Sequence, residues 1–319
     1  MVAAEACGHG RVAGISTRKE SEPPSATCVA IKGHADDSAV RALVLGGRGF
    51  IGRALCARLR ADGWMVWVRD LPEHDLARGN CWWDTIETGW DVVYLLAATL
   101  GVDTVTSDPA RVLRTNLRIV QNVLDWLPNR GETLVFASTS EVYAASVARG
   151  LAPVPTPEGV ELLADPVSPR GAYALSKIVG ESMVRHGHGR SVIVRFHNVY
   201  GPGQSRGFVI PELIHGAPVH HPAATRAFCY IDDAVEGTLL AAQHPGEVVN
   251  VGTEEEVRIG DLAHMIQGDT ISLVVSGARQ GDPLRRCPDL TKRRALGYAP
   301  KVSLAEGLAR TRAWWRTRG

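Results

Sequence analysis

From Arg41 onward, short apolar runs alternate with stretches of helical periodicity. Ala42-Leu43-Val44-Leu45 is a brief apolar run ending in glycines, the pattern of a strand covered on both faces. Residues 50–59 place apolar side chains at helical spacing, and Asp62-Gly63 stops them. The runs at 64–68 and 91–96 predict a second and a third strand. Residues 110–126 predict an amphipathic helix followed by a strand at 133–136. Residues 172–186 predict another helix, followed by a strand at 191–194. Strands alternating with helices predict an α/β fold, a doubly wound parallel sheet of the Rossmann type.

After Tyr200 the regularity fades: Gly201-Pro202-Gly203 and the stretch 218–222 are loop-like. The expected organisation is a nucleotide-binding domain over 41–200, completed by about 228–252. Residues 201–227 and 253–319 form a smaller C-terminal substrate lobe. Residues 1–40 stand apart, with no sustained periodicity, Pro23-Pro24, and no continuous apolar core of a secretory signal. They read as a mobile extension, or as an over-long assigned start.

Composition narrows the classes. The chain has 319 residues, 45% hydrophobic and 22% charged, which suits one large α/β domain with a smaller partner. With 35 Lys+Arg against 34 Asp+Glu, no long-range field gathers nucleic acid or an anionic membrane. No apolar run reaches the roughly 20 residues of a spanning helix. The six cysteines (Cys7, Cys28, Cys56, Cys81, Cys229, Cys287) include no Cys-x-x-Cys pair. Neither a disulfide framework nor a metal site is expected, and scattered thiols suit a reducing cytoplasm. As residues they read as small buried hydrophobes.

Chemistry begins at Gly46-Gly47-Arg48-Gly49-Phe50-Ile51-Gly52, which follows a strand and opens a helix. The first glycine permits a tight turn, the second lets backbone N–H groups approach a pyrophosphate, and the third lets helix and strand pack closely. A tight turn without a ligand would explain the triplet alone. Asp70, ending the second strand, adds a carboxylate placed to accept from ribose hydroxyls. It would repel a 2′-phosphate and favours NAD over NADP, against the cation of neighbouring Arg69.

The next signal is Tyr173-Ala174-Leu175-Ser176-Lys177. Four residues apart, the two side chains share a helix face. The ammonium is expected to lower the phenol's pKa toward working pH and make it a base for a sugar hydroxyl. A solvated surface pair is the plainer reading of the motif in isolation; its place after a strand ending in Ser138-Thr139-Ser140 favours the chemical one.

With these segments the chain resembles the extended short-chain dehydrogenase/reductases, in particular the NAD-dependent nucleotide-sugar epimerase/dehydratase family. The likeness rests on ordered matches. They include Leu96-Ala97-Ala98, Phe136-Ala-Ser-Thr-Ser-Glu-Val-Tyr143, Gly180-Glu181, Asn198-Val-Tyr-Gly-Pro-Gly-Gln204, Arg226-Ala-Phe-Cys-Tyr-Ile-Asp-Asp233, Val249-Asn-Val-Gly252 and Pro300-Lys-Val-Ser-Leu-Ala-Glu-Gly307. By that resemblance, Gly46, Gly49, Phe50, Ile51, Gly52, Asp70, Leu96, Ala97, Ala98, Tyr173 and Lys177 border NAD. Asp75 flanks the adenine, with Asn80 competing for that role. Thr139 bonds the sugar hydroxyl, Tyr173 is the base and Lys177 its electrostatic partner. Asn198, Arg226 and Arg279 hold the nucleotide diphosphate, Asp282 lies near the nucleoside ribose, and a homodimer is implied, paired through the helices near 110–126 and 172–186. The chain departs from the pattern at Ala144, His197 and Ala227, where the family usually has Gly, Phe and Asp. It is also short between Pro211 and Arg226, which leaves the nucleotide base open.

The resemblance implies a nucleotide-diphosphate sugar as substrate, oxidised to a 4-keto intermediate with the cofactor regenerated in each turnover. Epimerisation is the first reading, and decarboxylation of a uronate and 4,6-dehydration are the alternatives. Glu141 is the residue on which the branch turns; Arg286 aligns with a substrate-binding arginine that decarboxylases place near the substrate carboxylate and that related epimerases often share. More distant alternatives are an NADP-dependent carbonyl reductase and a non-catalytic NAD-binding regulator.

Overall fold

The computed structural model describes residues 39–79, 83–127, 129, 131–268, 273–274 and 283–318. Residues 1–38, and with them most of the expected extension, lie outside the described residues, as do Asn80, Arg279 and Asp282. The core is a six-stranded sheet of β1 (Arg41–Leu45), β2 (Met65–Arg69), β3 (Val92–Leu95), β4 (Thr133–Thr139), β5 (Ser191–Phe196) and β6 (Val248–Val251). Its spatial order is β6-β5-β4-β3-β1-β2, and every adjacent pair is parallel. The chain therefore leaves β1 toward one edge, then returns past it to build the other half. The doubly wound expectation holds, and the carboxyl ends of β1, β3 and β4 meet on one side, where such folds bind ligands. Leu43, Leu45, Val93 and Leu134 are 0% exposed in the centre, each contributing roughly 1.5–3 kcal/mol of burial.

Three helices position the site. α1 (Phe50–Ala61) follows β1 directly. α2 (Pro109–Trp126) starts at an Asp108 cap whose carboxylate accepts from the Arg111 N–H, and buries Val112, Ile119, Val120 and Val123. α3 (Pro169–Gly187) packs alongside it and buries Ala174, Lys177, Glu181 and Val184. Much of the apolar stripe on which pairing between subunits was expected is thus taken up inside the protomer. β4 runs three residues further than the predicted 133–136, because Ala137-Ser138-Thr139 continue the ladder to Val194-Arg195-Phe196.

Beyond Tyr200 the structure is less irregular than the loop-like composition suggests. α4 (Ile231–Ala241) leads into β6, and α5 (Leu304–Arg316) closes the described chain. Asp233 accepts from the Lys301 and Val302 N–H groups at 2.8 and 3.0 Å, tying α4 to the segment before α5. A separate three-stranded sheet joins Thr225–Ala227, antiparallel to Glu256–Arg258 and parallel to Arg285–Arg286.

Candidate active site

The glycine turn sits between β1 and α1. Gly46 adopts φ +92°, and an added Cβ there would lie 2.5 Å from the Ala97 nitrogen. At Gly52 a Cβ would lie 2.2 Å from the Gly46 oxygen, so the helix can approach the turn only as glycine. The first i→i−4 bond of the helix is Arg53 N–H to Gly49 O, 3.0 Å. The Phe50, Ile51 and Gly52 amides precede it and form the N-terminal donor set that suits a pyrophosphate. Leu96 and Ala97 close the other wall, both donating to the Leu45 carbonyl.

Asp70 stands at this turn. One of its oxygens accepts from the Arg48 backbone N–H and the other from that of Leu71, each at 2.8 Å. Arg69 turns back onto the Val68 carbonyl at 3.0 Å, away from the carboxylate. Arg48 bonds the Leu71 carbonyl at 2.9 Å and pairs with Glu73. Asp75 is engaged within its own loop, accepting from Ala77 N–H at 3.1 Å and pairing with Arg78 at 3.2 Å. Glycine turn, free helix amides and an acidic β2 end together fit a dinucleotide with an unphosphorylated ribose.

At the end of β4, Thr139 and Tyr173 meet through a hydrogen bond between their hydroxyls. The Thr139 hydroxyl also accepts from the Glu141 N–H at 3.2 Å, capping the turn Ser140–Tyr143. Lys177, one helical turn from Tyr173, is 3% exposed and donates to the Ala137 carbonyl at 2.7 Å, above the Phe136 ring. The expected acidification of the phenol is not what this arrangement produces. Burial raises the Tyr173 pKa, Glu141 raises it further, and only the bond with Thr139 opposes them. Burial also draws Lys177 down to about 8 against the pull of Glu181, so its ammonium is itself under strain.

Glu141 does not stand alone at the site. Arg286 grips both its oxygens, at 2.6 and 3.2 Å, and Arg170 reaches one at 3.4 Å. Arg286 is placed by the three-stranded sheet, in register beside Arg226. The Arg226 guanidinium bonds the Thr225 carbonyl at 2.7 Å and the Leu284 carbonyl at 3.2 Å. Asn198 holds φ +39°, and its amide donates to the Ala227 carbonyl at 2.9 Å, joining the end of β5 to the same sheet. Thr139, Glu141, Tyr173, Lys177 and Arg286 are thus brought together.

Several residues absent from the expected set hold it in place. Asn116 of α2 receives the Thr99 N–H at 2.7 Å and donates to the Thr99 carbonyl and the Ser176 hydroxyl, both at 3.1 Å. It fixes the loop after β3 against α3. Its only sequence signal was an amide on the apolar stripe of an amphipathic helix. Behind Lys177, Glu181 accepts from the Ser138 hydroxyl at 2.5 Å and from Arg195 at 2.9 and 2.6 Å. Arg195 in turn donates to the Tyr143 hydroxyl at 2.8 Å, which donates to Asn250 at 2.9 Å. The described cysteines, Cys56, Cys229 and Cys287, are free and buried, as their scatter predicts; Cys7, Cys28 and Cys81 lie outside the described residues. Among the described residues no cluster of metal-ligating side chains occurs, and no helix is long and apolar enough to cross a membrane.

The parallel sheet and glycine turn fit a dinucleotide-dependent enzyme, and the Thr139/Tyr173/Lys177 cluster lies at the carboxyl end of β4 on the same side of the sheet. Residues 42–252 match the NAD dependent epimerase/dehydratase family, and the chain belongs to that family. It is 32% identical over 323 residues to "Putative GDP-L-fucose synthase 2" of Oryza sativa subsp. japonica, covering 92% of each chain. It is 30% identical over 320 residues to the UDP-N-acetyl-alpha-D-glucosaminuronate decarboxylase of Bacillus cytotoxicus, covering 86% of this chain and 98% of that one. Among solved structures, the UDP-glucose 4-epimerase of Thermotoga maritima with UDP-glucose superposes with a TM-score of 0.75 at 26% identity, covering 88% and 99%.

Proposed function

We propose that this enzyme epimerises a nucleotide-diphosphate sugar through a 4-keto intermediate. Bound NAD would supply the hydride acceptor and donor for the reversible oxidation. The Gly46–Gly52 turn, with Phe50 and Ile51, holds the pyrophosphate; Asp70 takes the ribose hydroxyls, Asp75 the adenine side, and Leu96, Ala97 and Ala98 form the facing wall. Thr139 orients the sugar hydroxyl, and Tyr173 takes its proton and gives it back. Burial and Glu141 hold the Tyr173 proton at rest, so the phenol must first lose it to solvent before it can act as a base, a loss that the Lys177 ammonium one helical turn away favours. Lys177 supplies positive charge from below, at the Ala137 carbonyl. Asn198, Arg226 and Arg279 are assigned to the nucleotide diphosphate and Asp282 to the nucleoside ribose, all but Asn198 in a substrate lobe of residues 201–227 and 253–319.

The Glu141–Arg286 pair carries the choice of epimerisation. A carboxylate gripped by Arg286 and reached by Arg170 is engaged within the protein rather than presented to a sugar as the base or acid of a dehydration. An arginine reading a substrate carboxylate needs its fork open, and here both nitrogens face Glu141. Decarboxylation is the second reading, favoured by one observation: if Glu141 swings aside, Arg286 and Arg170 form a ready seat for a uronate. UDP-, dTDP- and GDP-sugars incubated with enzyme and NAD, followed by mass spectrometry and NMR, test the assignment. A stereoisomer of unchanged mass is expected; release of CO₂ or loss of water overturns it. The enzyme is proposed to work in the cytoplasm as a homodimer, which light scattering checks.

A further inference from the structure

His197, at the end of β5, is 1% exposed, and its protonation state can be worked out from its neighbours. Asn250 fixes the logic. Its amide nitrogen donates to the Thr156 and Asp289 carbonyls, at 3.0 and 3.2 Å. Carbonyl oxygens only accept, so the nitrogen must face them and Oδ1 must face the other way. Oδ1 receives the Tyr143 hydroxyl at 2.9 Å and lies 3.1 Å from His197 Nε2. An amide oxygen has no hydrogen to give, so Nε2 carries one. Burial, with Arg286 and Arg195 nearby, pulls the imidazole down to about 3, against the bond to Asn250, so the ring is neutral. Its single hydrogen is on Nε2, and Nδ1 is left as a bare lone pair.

That lone pair is buried and has no hydrogen-bond partner among the described residues. The ring lines a small cavity with Ser140, Tyr143, Thr156, Pro283 and Arg286. Ser140 follows Thr139 in the chain and Arg286 holds Glu141, so the cavity adjoins the candidate active site. A buried acceptor without a donor is costly, and the ring is kept in place by its bond to Asn250, whose side chain is itself fixed by three further hydrogen bonds.

We propose that His197 Nδ1 accepts a hydrogen bond from a hydroxyl group of the substrate sugar and so selects sugars that carry it. The proposal rests on the nucleotide-sugar assignment made above. The other occupant of matching chemistry is a structural water, and the experiment separates the two.

Wild type, His197→Phe and His197→Asn are titrated calorimetrically, with NAD present, against nucleotide-linked glucose (UDP-, dTDP- or GDP-, whichever wild type binds). Its singly deoxygenated analogues and the bare nucleoside diphosphate are titrated alongside. Removing one hydroxyl is expected to weaken wild-type binding about tenfold, the scale of a buried hydrogen bond. In His197→Phe the same removal changes affinity less than twofold. His197→Asn, which keeps an acceptor near the Nδ1 position, recovers part of the discrimination. Affinity for the bare diphosphate stays that of wild type in all three. If His197→Phe discriminates as wild type does, or weakens sugar and bare diphosphate equally, Nδ1 serves a water or the fold and the proposal fails. If wild type binds none of the three nucleotide glucoses, the nucleotide-sugar assignment falls first and takes this one with it.

Discussion

Arg286 meets Glu141 as a two-pronged pair, one prong at 2.6 Å and the other at 3.2 Å. Arg286 has a side chain only 10% exposed, and Glu141 is 23% exposed, so water screens the pair weakly. The carboxylate therefore acts as an internal substitute for any acid the substrate could bring. Glu141→Ala removes the substitute and leaves Arg286 and Arg170 facing the site. The ratio of affinities for a uronate-bearing against a neutral nucleotide sugar should move toward the uronate by about tenfold or more. Calorimetry on both ligands measures it, and an unchanged ratio means the arginines do not face the sugar.

Tyr173→Phe should cut turnover by roughly 10²–10⁴-fold, the usual contribution of a general base. The phenol makes no described contact with the glycine turn, so NAD binding should stay within about twofold. Turnover assays and NAD titration by intrinsic fluorescence read the two effects separately. Near-normal turnover would remove Tyr173 from the chemistry.

Lys177 links the site to pH. Its pKa is lowered from 10.5 to about 8 by burial. Between these values the unfolded chain holds a proton that the native protein has released, so this residue makes stability rise with pH across that window. Buried tyrosines and thiols with raised pKa act in the opposite sense. The informative quantity is thus the difference between wild type and Lys177→Met. Relative to wild type, the variant should gain stability below about pH 8, and the gain should shrink toward pH 10.5. Urea unfolding at several pH values tests this; a pH-independent difference would place the ammonium in a solvated setting.

Asp70→Asn should narrow the preference for NAD over NADP by about tenfold or more. The substitution removes the charge that repels a 2′-phosphate while Arg48 and Arg69 stay in place. Comparative Kd values for the two cofactors decide it, and an unaltered ratio would show that Asp70 does not face the ribose.

Much of this could be read in the amino-acid order because the signals are local. Buried parallel strands such as 42–45 are continuous apolar runs, and the glycine turn and the Tyr173/Lys177 pair each lie within a few residues. What escaped depends on contacts far apart in the chain. Asn116 meets Thr99 and Ser176 across two loops, and Arg195 meets Glu181, Tyr143 and the Glu158 carbonyl from three separate segments. The acidification of Tyr173 failed for a related reason: helix spacing puts the ammonium on the same face, but burial and the Ala137 carbonyl decide what it does. His197 stood out in the sequence only as an unusual residue, since its role depends on which way Asn250 points.

The three-stranded sheet has a consequence for how anions are held. Arg226 and Arg286 are register partners on adjacent strands, a separation set by the backbone ladder at roughly 4.7–4.9 Å. The spacing between the backbones that carry the Arg226 and Arg286 side chains is therefore built into main-chain pairing, whatever rotamers the two side chains take. A slip of one residue would turn both guanidiniums to opposite faces together, so the Glu256–Arg258 strand, through its edge pairing, guards a distance that it does not itself span.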